Sequence, residues 1–136
     1  MNYLLDTNAL VALLRNKPAG VRERYREAKA AGDHLALSSV VLFELWYGVA
    51  KSGQVQENTE RLRVLLSGDL DLLDFDDEDA RTAGQVRAGL EKAGTQIGAD
   101  DLLIAGQALR RGLTVVTANT SEFSRVAGLS WQDWTT

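Results

Sequence analysis

Cysteine is absent from this chain of 136 residues, and histidine and proline occur once each, as His34 and Pro18. Without cysteine there can be no disulfide, no thiolate nucleophile and no Cys-type zinc site. A lone histidine cannot build a His-pair acid–base mechanism or a His-rich metal site. No apolar run approaches the ~20 residues that a membrane helix needs. The start, Met1-Asn2-Tyr3, lacks the basic-then-apolar form of a signal peptide. The expectation is a cytoplasmic protein with no membrane contact. Basic residues are also short, 15 against 19 acidic, for a formal net charge of −4. Nucleic-acid binders are usually basic, so this counts against that role. It counts weakly, because carboxylates that hold a divalent cation are offset by the cation.

What is present is ordinary for a soluble domain: 45% apolar and 25% charged residues. The length suits a single domain, residues 1–136, with a sizeable core. The organising stretch is Tyr3-Leu4-Leu5-Asp6-Thr7-Asn8, followed by Ala9-Leu10-Val11-Ala12-Leu13-Leu14. It predicts a short buried strand, a carboxylate at its carboxyl end, and a helix opened by Thr7 or Asn8 as N-cap. Ligands of parallel α/β sheets sit at the carboxyl ends of the strands, which makes Asp6 a site candidate. The plainer alternative is an Asp6 that only serves a helix N-terminus.

Lys17-Pro18 breaks the pattern, and a surface helix is predicted over Ala19 to Ala31, ended by Gly32. Leu35-Ala36-Leu37 reads as a second strand closing in Ser38-Ser39. Val40 to Ala50 predicts a helix apolar nearly all round and hence buried, with Glu44 its one charge and Gly48 one turn on. Desolvating an unpaired glutamate costs several kcal/mol, so Glu44 either coordinates something or finds a cationic partner. A helix over Val55 to Leu66, a strand over Leu70 to Phe75 and an acid-led helix over Asp76 to Lys92 follow. Gly98 then opens a helix with Asp100 and Asp101 in its first turn, and periodicity does not say which points inward. Leu113 to Thr117, rich in β-branched residues, predicts a central parallel strand ending in Ala118-Asn119. A short helix at Glu122-Phe123 and Val126, and an edge strand at Leu129 to Trp131, complete the pattern; Trp131 and Trp134 are expected to pack as core or edge cover.

Alternating strands and helices give an α/β fold with a mainly parallel sheet of about five strands. If the first and fourth strands are neighbours, Asp6, Glu44, the first turn at Asp101 and the amide of Asn119 can converge. Such an oxygen-only site suits Mg²⁺ or Mn²⁺, and phosphodiester hydrolysis is the natural chemistry.

These residues together resemble a PIN-domain ribonuclease of the VapC toxin type. The resemblance runs from Leu4-Leu5-Asp6-Thr7-Asn8 through Ser38-Ser39, Glu44-Leu45 and Gly48. It continues in Ile97-Gly98, Asp101 to Ala105 and Val116 to Asn119, and ends in Phe123 to Val126, Gly128-Leu129 and Asp133-Trp134. It implies a three-layer α/β/α PIN fold and assigns metal ligation and catalysis to Asp6, Glu44 and Asp101, preferring Asp101 to Asp100. The family's fourth position is often aspartate; here it is Asn119, which implies one Mg²⁺ rather than two. Asn8, Ser38, Thr117 and Asn119 would orient the carboxylates, and Arg15 and Lys17 would meet RNA phosphates. The resemblance further implies cleavage of a structured RNA such as tRNA, a homodimer and a VapB-like antitoxin, with Leu13, Leu14, Trp46 and Tyr47 as candidates for the antitoxin's groove. Two rivals are a phospho-receiver domain, with Asp74 or Asp76 as acceptor, and a catalytically silent interaction domain.

Overall fold

A computed structural model describes residues 1–136. In chain order the elements are β1 (Asn2–Leu5), α1 (Thr7–Arg15), α2 (Ala19–Ala30), β2 (His34–Ser38), α3 (Ser39–Ala50) and α4 (Val55–Leu66). They continue with β3 (Asp71–Leu73), α5 (Asp77–Ala93), α6 (Ala99–Arg111), β4 (Thr114–Val116), α7 (Thr120–Phe123) and β5 (Ser130–Gln132). All strand pairs are parallel, in the order β3-β2-β1-β4-β5. The apolar triplets Tyr3–Leu5 and Thr114–Val116 lie side by side in register and are buried, as strands covered on both faces must be. The neighbour relation of first and fourth strands therefore holds, and the order in which strands are added to the sheet reverses at β1. That is the switch point where such sheets leave a crevice. No helix is long and apolar enough to cross a membrane.

Several expectations need correction. The N-cap of α1 is Asp6 rather than Thr7 or Asn8: its carboxylate accepts the Ala9 N–H at 2.9 Å. The third and fourth strands are shorter than expected, three residues each, because the sheet pairs only those positions. The α3 helix is not buried all round. Val41 and Leu45 face the core, while Phe43 is 68% and Tyr47 58% exposed. Trp134 is core, edge-on to Tyr3, but Trp131 on edge strand β5 is 38% exposed.

The strongest interhelical contact joins α5 to α6. At Gly106 a Cβ would lie 2.6 Å from Cα and Cβ of Ala83, so only glycine permits this approach. Asp79, fully buried, accepts from Arg110 at 2.7 Å and from Arg111 at 2.8 Å. It also closes a capping box with Asp76. Burial pushes the Asp79 carboxyl up, but the two arginines and the Asp76 interaction outweigh it and hold the group far below the usual carboxylate range.

Candidate functional site

The carboxyl ends of β1 and β4 open a crevice whose walls are the first turns of α1 and α6 and the middle of α3. Asp6 ends the first strand, with its own N–H bonded to the Val116 carbonyl at 3.1 Å, and is 4% exposed. Burial raises its pKa; the Thr117 hydroxyl and the Ala9 and Asn8 backbone N–H groups counter this in part, and Asp133 adds repulsion. Capping and site membership thus coexist in one carboxylate.

Glu44 reaches the same crevice from α3, half-buried, and accepts from the Thr7 hydroxyl at 2.7 Å. Its pKa is raised first by burial, then by hydrogen bonding and charge from Asp100 and by the charge of Asp6. Asp101, in the first turn of α6, accepts from the Asn119 amide at 2.7 Å. Burial, the neighbouring Glu122 and the charge of Asp6 push it up to about 7, against the Asn119 bond. Glu122 moves the other way: its hydrogen bond with Asp101, the Gly98 N–H at 3.1 Å and the Asn119 amide at 2.8 Å keep it ionised. The contact between the two thus favours the acid form of Asp101 and the ionised form of Glu122.

Asp6 therefore acts on both Glu44 and Asp101, and two further acids join these three. Asp100 faces Glu44 while Asp101 faces Asn119 and Glu122, so both first-turn aspartates belong to the crevice. Glu122 stands where the Asn119 departure had suggested a missing acid. Its only signal was its place one turn after Asn119. Thr117 and Asn119 do touch the carboxylates. Asn8 contributes its backbone N–H, its side chain being exposed. Ser38 does not reach them: fully buried, it accepts the Val40 N–H at 3.1 Å and caps α3. Arg15 and Lys17 line one cleft of about 250 Å³ together with Asn8 and Thr117. Leu13 and Leu14 line another, of about 460 Å³, between α1, α2 and α4; Trp46 and Tyr47 lie outside it.

All the ion pairs of the chain form elsewhere, so none of Asp6, Glu44, Asp100 and Asp101 has a basic partner within 4.0 Å. The oxygens stand apart rather than in a closed cage. Donor chemistry nonetheless fits a hard divalent ion: oxygen ligands only, raised carboxyl pKa values and no internal counter-charge. The phospho-receiver alternative fails on topology. In that fold the third strand lies beside the first, whereas here β3 is the sheet edge, two strands from β1, and Asp76 is committed to Arg110 at 2.7 Å.

Fold and donor set together define an α/β protein with a carboxylate-walled crevice at its switch point. Comparison with known proteins narrows this. The PIN domain profile matches residues 3–129. The tRNA(fMet)-specific endonuclease VapC of Shigella flexneri is 42% identical over 134 residues, 98% of each chain. The VapBC2 complex from Rickettsia felis, solved bound to a DNA fragment from its promoter, superposes with a TM-score of 0.91 at 36% identity over 98% of this chain and 99% of that one. DNA-bound VapBC from Salmonella typhimurium gives 0.89 at 39% identity over 98% of each. The chain belongs to the PIN-domain family, in its VapC branch.

Proposed function

We propose that this chain is a metal-dependent endoribonuclease, the toxin of a VapBC-type toxin–antitoxin pair, using Mg²⁺ or Mn²⁺. The observation that carries this is the meeting of Asp6, Glu44 and Asp101 in one crevice, each with a raised pKa and none with a basic partner. These three hold the cation. Thr7 fixes the Glu44 carboxylate, Thr117 and the α1 N-terminus fix Asp6, and Asn119 fixes Asp101 while bridging it to Glu122. A bound divalent ion supplies charge against a phosphodiester and acidifies water. Ionised Glu122 beside Asp101 provides a resting place for a proton released at that edge. Arg15 and Lys17 hold RNA phosphate, and Ser38 supports Glu44 only by starting its helix.

The Shigella relative is named for tRNA(fMet), and a structured RNA, tRNA first, is the substrate we assign. The solved relatives are VapBC complexes, so a VapB-like antitoxin is the partner. The cleft floored by Leu14, Tyr25, Val64 and Leu65 has the apolar character that takes an amphipathic helix. A second copy of the chain, pairing through α3, covers Phe43 and Tyr47. The experiment is tRNA cleavage with Mg²⁺ or Mn²⁺ against chelator. Asp101→Asn should abolish cutting, whereas exposed Asp100, whose asparagine replacement keeps a polar contact to Glu44, should retain most of it. Equal losses from the two substitutions would refute this division of roles.

A further inference from the structure

A third cleft, about 290 Å³ in volume, lies between α1, α3 and α4 and shares Thr7 and Glu44 with the crevice. Its lining carries three cations drawn from three different elements or their ends: Arg15, Lys51 and Arg61. In a chain with net charge −4, three cations beside a wall of carboxylates call for an anionic ligand. Their present partners hold them loosely. Arg61 pairs with Glu57 on the surface at 2.8 Å, Lys51 lies 4.8 Å over the Tyr47 ring, and Arg15 has no ion-pair partner. Exposed pairs of this kind contribute ~0–1 kcal/mol, so a phosphate can replace them. Gly48 lies in the lining, and a Cβ built there meets nothing within 4 Å, so the space over this helical position is open and a long side chain placed there would project into the cleft.

We propose that this cleft is the substrate's backbone track. The phosphate of a nucleotide flanking the scissile bond is held by Arg15, Lys51 and Arg61, and the strand enters unpaired, since the cleft is too small for a duplex. This deepens the ribonuclease reading and rests on it. It adds Lys51 and Arg61 as substrate-positioning residues and Gly48 as the position where a larger side chain would obstruct the strand.

The test is fluorescence anisotropy of a labelled unpaired oligoribonucleotide of about ten nucleotides, in Ca²⁺, with a matched duplex alongside. The native protein should bind the unpaired strand more tightly than the duplex. Gly48→Leu should keep or raise the melting temperature and weaken RNA binding at least tenfold. Lys51→Gln and Arg61→Gln should each weaken it several-fold and lower the salt slope by about 0.7 per lost phosphate contact. Native-like binding and salt slope in all three variants would overturn the proposal. So would loss of antitoxin capture by Gly48→Leu with RNA binding intact, which would give the cleft to the protein partner. A native protein that binds RNA through this cleft but never cuts it in Mg²⁺ or Mn²⁺ would support the track and refute the nuclease.

Discussion

At the scale of residues, the site stores electrostatic strain. Asp6, Glu44 and Asp101 lose hydration on burial, and the charge of Asp6 acts on the other two, so each holds its proton to higher pH than a free carboxyl. Glu44→Gln removes one charge and keeps volume and a hydrogen-bonding oxygen for Thr7. The melting temperature in chelator should stay level or rise, while the increase produced by Mg²⁺ disappears. A large drop in chelator would mean a structural glutamate. The pH dependence has a definite sign. With Asp101 raised to about 7, the folded protein binds more protons than the unfolded chain between about pH 4 and pH 7. Melts in chelator should therefore fall across that window, and less steeply in Asp101→Asn. Metal competes with the same protons, so the Mn²⁺ concentration giving half the maximal stabilisation should decrease from pH 6 to pH 8, in roughly the range set by that shift. Of this chemistry, Asp6 was legible in the sequence because an apolar strand runs straight into it. Asp100 and Glu122 were not. Adjacent first-turn residues of a helix point about 100° apart, and the structure uses both directions. Glu122 sits on a four-residue helix, too short to show periodicity.

At the scale of elements, α6 is clamped at both ends. Its first turn carries the crevice acids, and its last holds Arg110 and Arg111 on buried Asp79. Asp79→Asn weakens both ion pairs; the arginines are about a quarter exposed and can rehydrate, so the loss should be near the lower end for a broken buried pair, about 3 kcal/mol by urea denaturation at neutral pH. Because the Asp79 pKa is lowered, its stabilisation is complete above the normal carboxylate range and fades only in acid; the variant should lose less stability than native protein as pH falls below about 4. Gly106→Ala forces a methyl group into Ala83 and should cost about 1–3 kcal/mol. Unchanged urea midpoints in that variant would contradict the packing described for α5 and α6. Sequence pattern located α5 and α6 but not their clamp, since acids in a first turn ordinarily serve only the helix dipole. The α3 helix misled in the opposite direction. Its all-round apolarity predicted burial, whereas Phe43 and Tyr47 are exposed; theirs is the face we assign to a second copy of the chain.

At the scale of the whole molecule, the strands were readable from their apolar runs, but the pairing of first and fourth entered only as a condition; the observed order β3-β2-β1-β4-β5 puts Asp6 beside the end of β4. The partners were legible only through family resemblance, because an uncovered apolar face does not name what covers it. Co-expression with a VapB-like antitoxin should yield a complex that cuts RNA far more slowly than the free toxin, and Val64→Asp, in the cleft between α1, α2 and α4 and outside the proposed RNA track, should lose the antitoxin while the free protein still cuts. Val64→Asp protein that retains the antitoxin would remove that cleft as its seat. Everything else rests on Asp6, Glu44 and Asp101 holding one divalent cation between them. Crystals soaked in Mn²⁺ and measured at the manganese edge test this directly. The account predicts an anomalous peak within bonding distance of oxygens from all three residues. A peak elsewhere, or none at concentrations that support cutting, would contradict it.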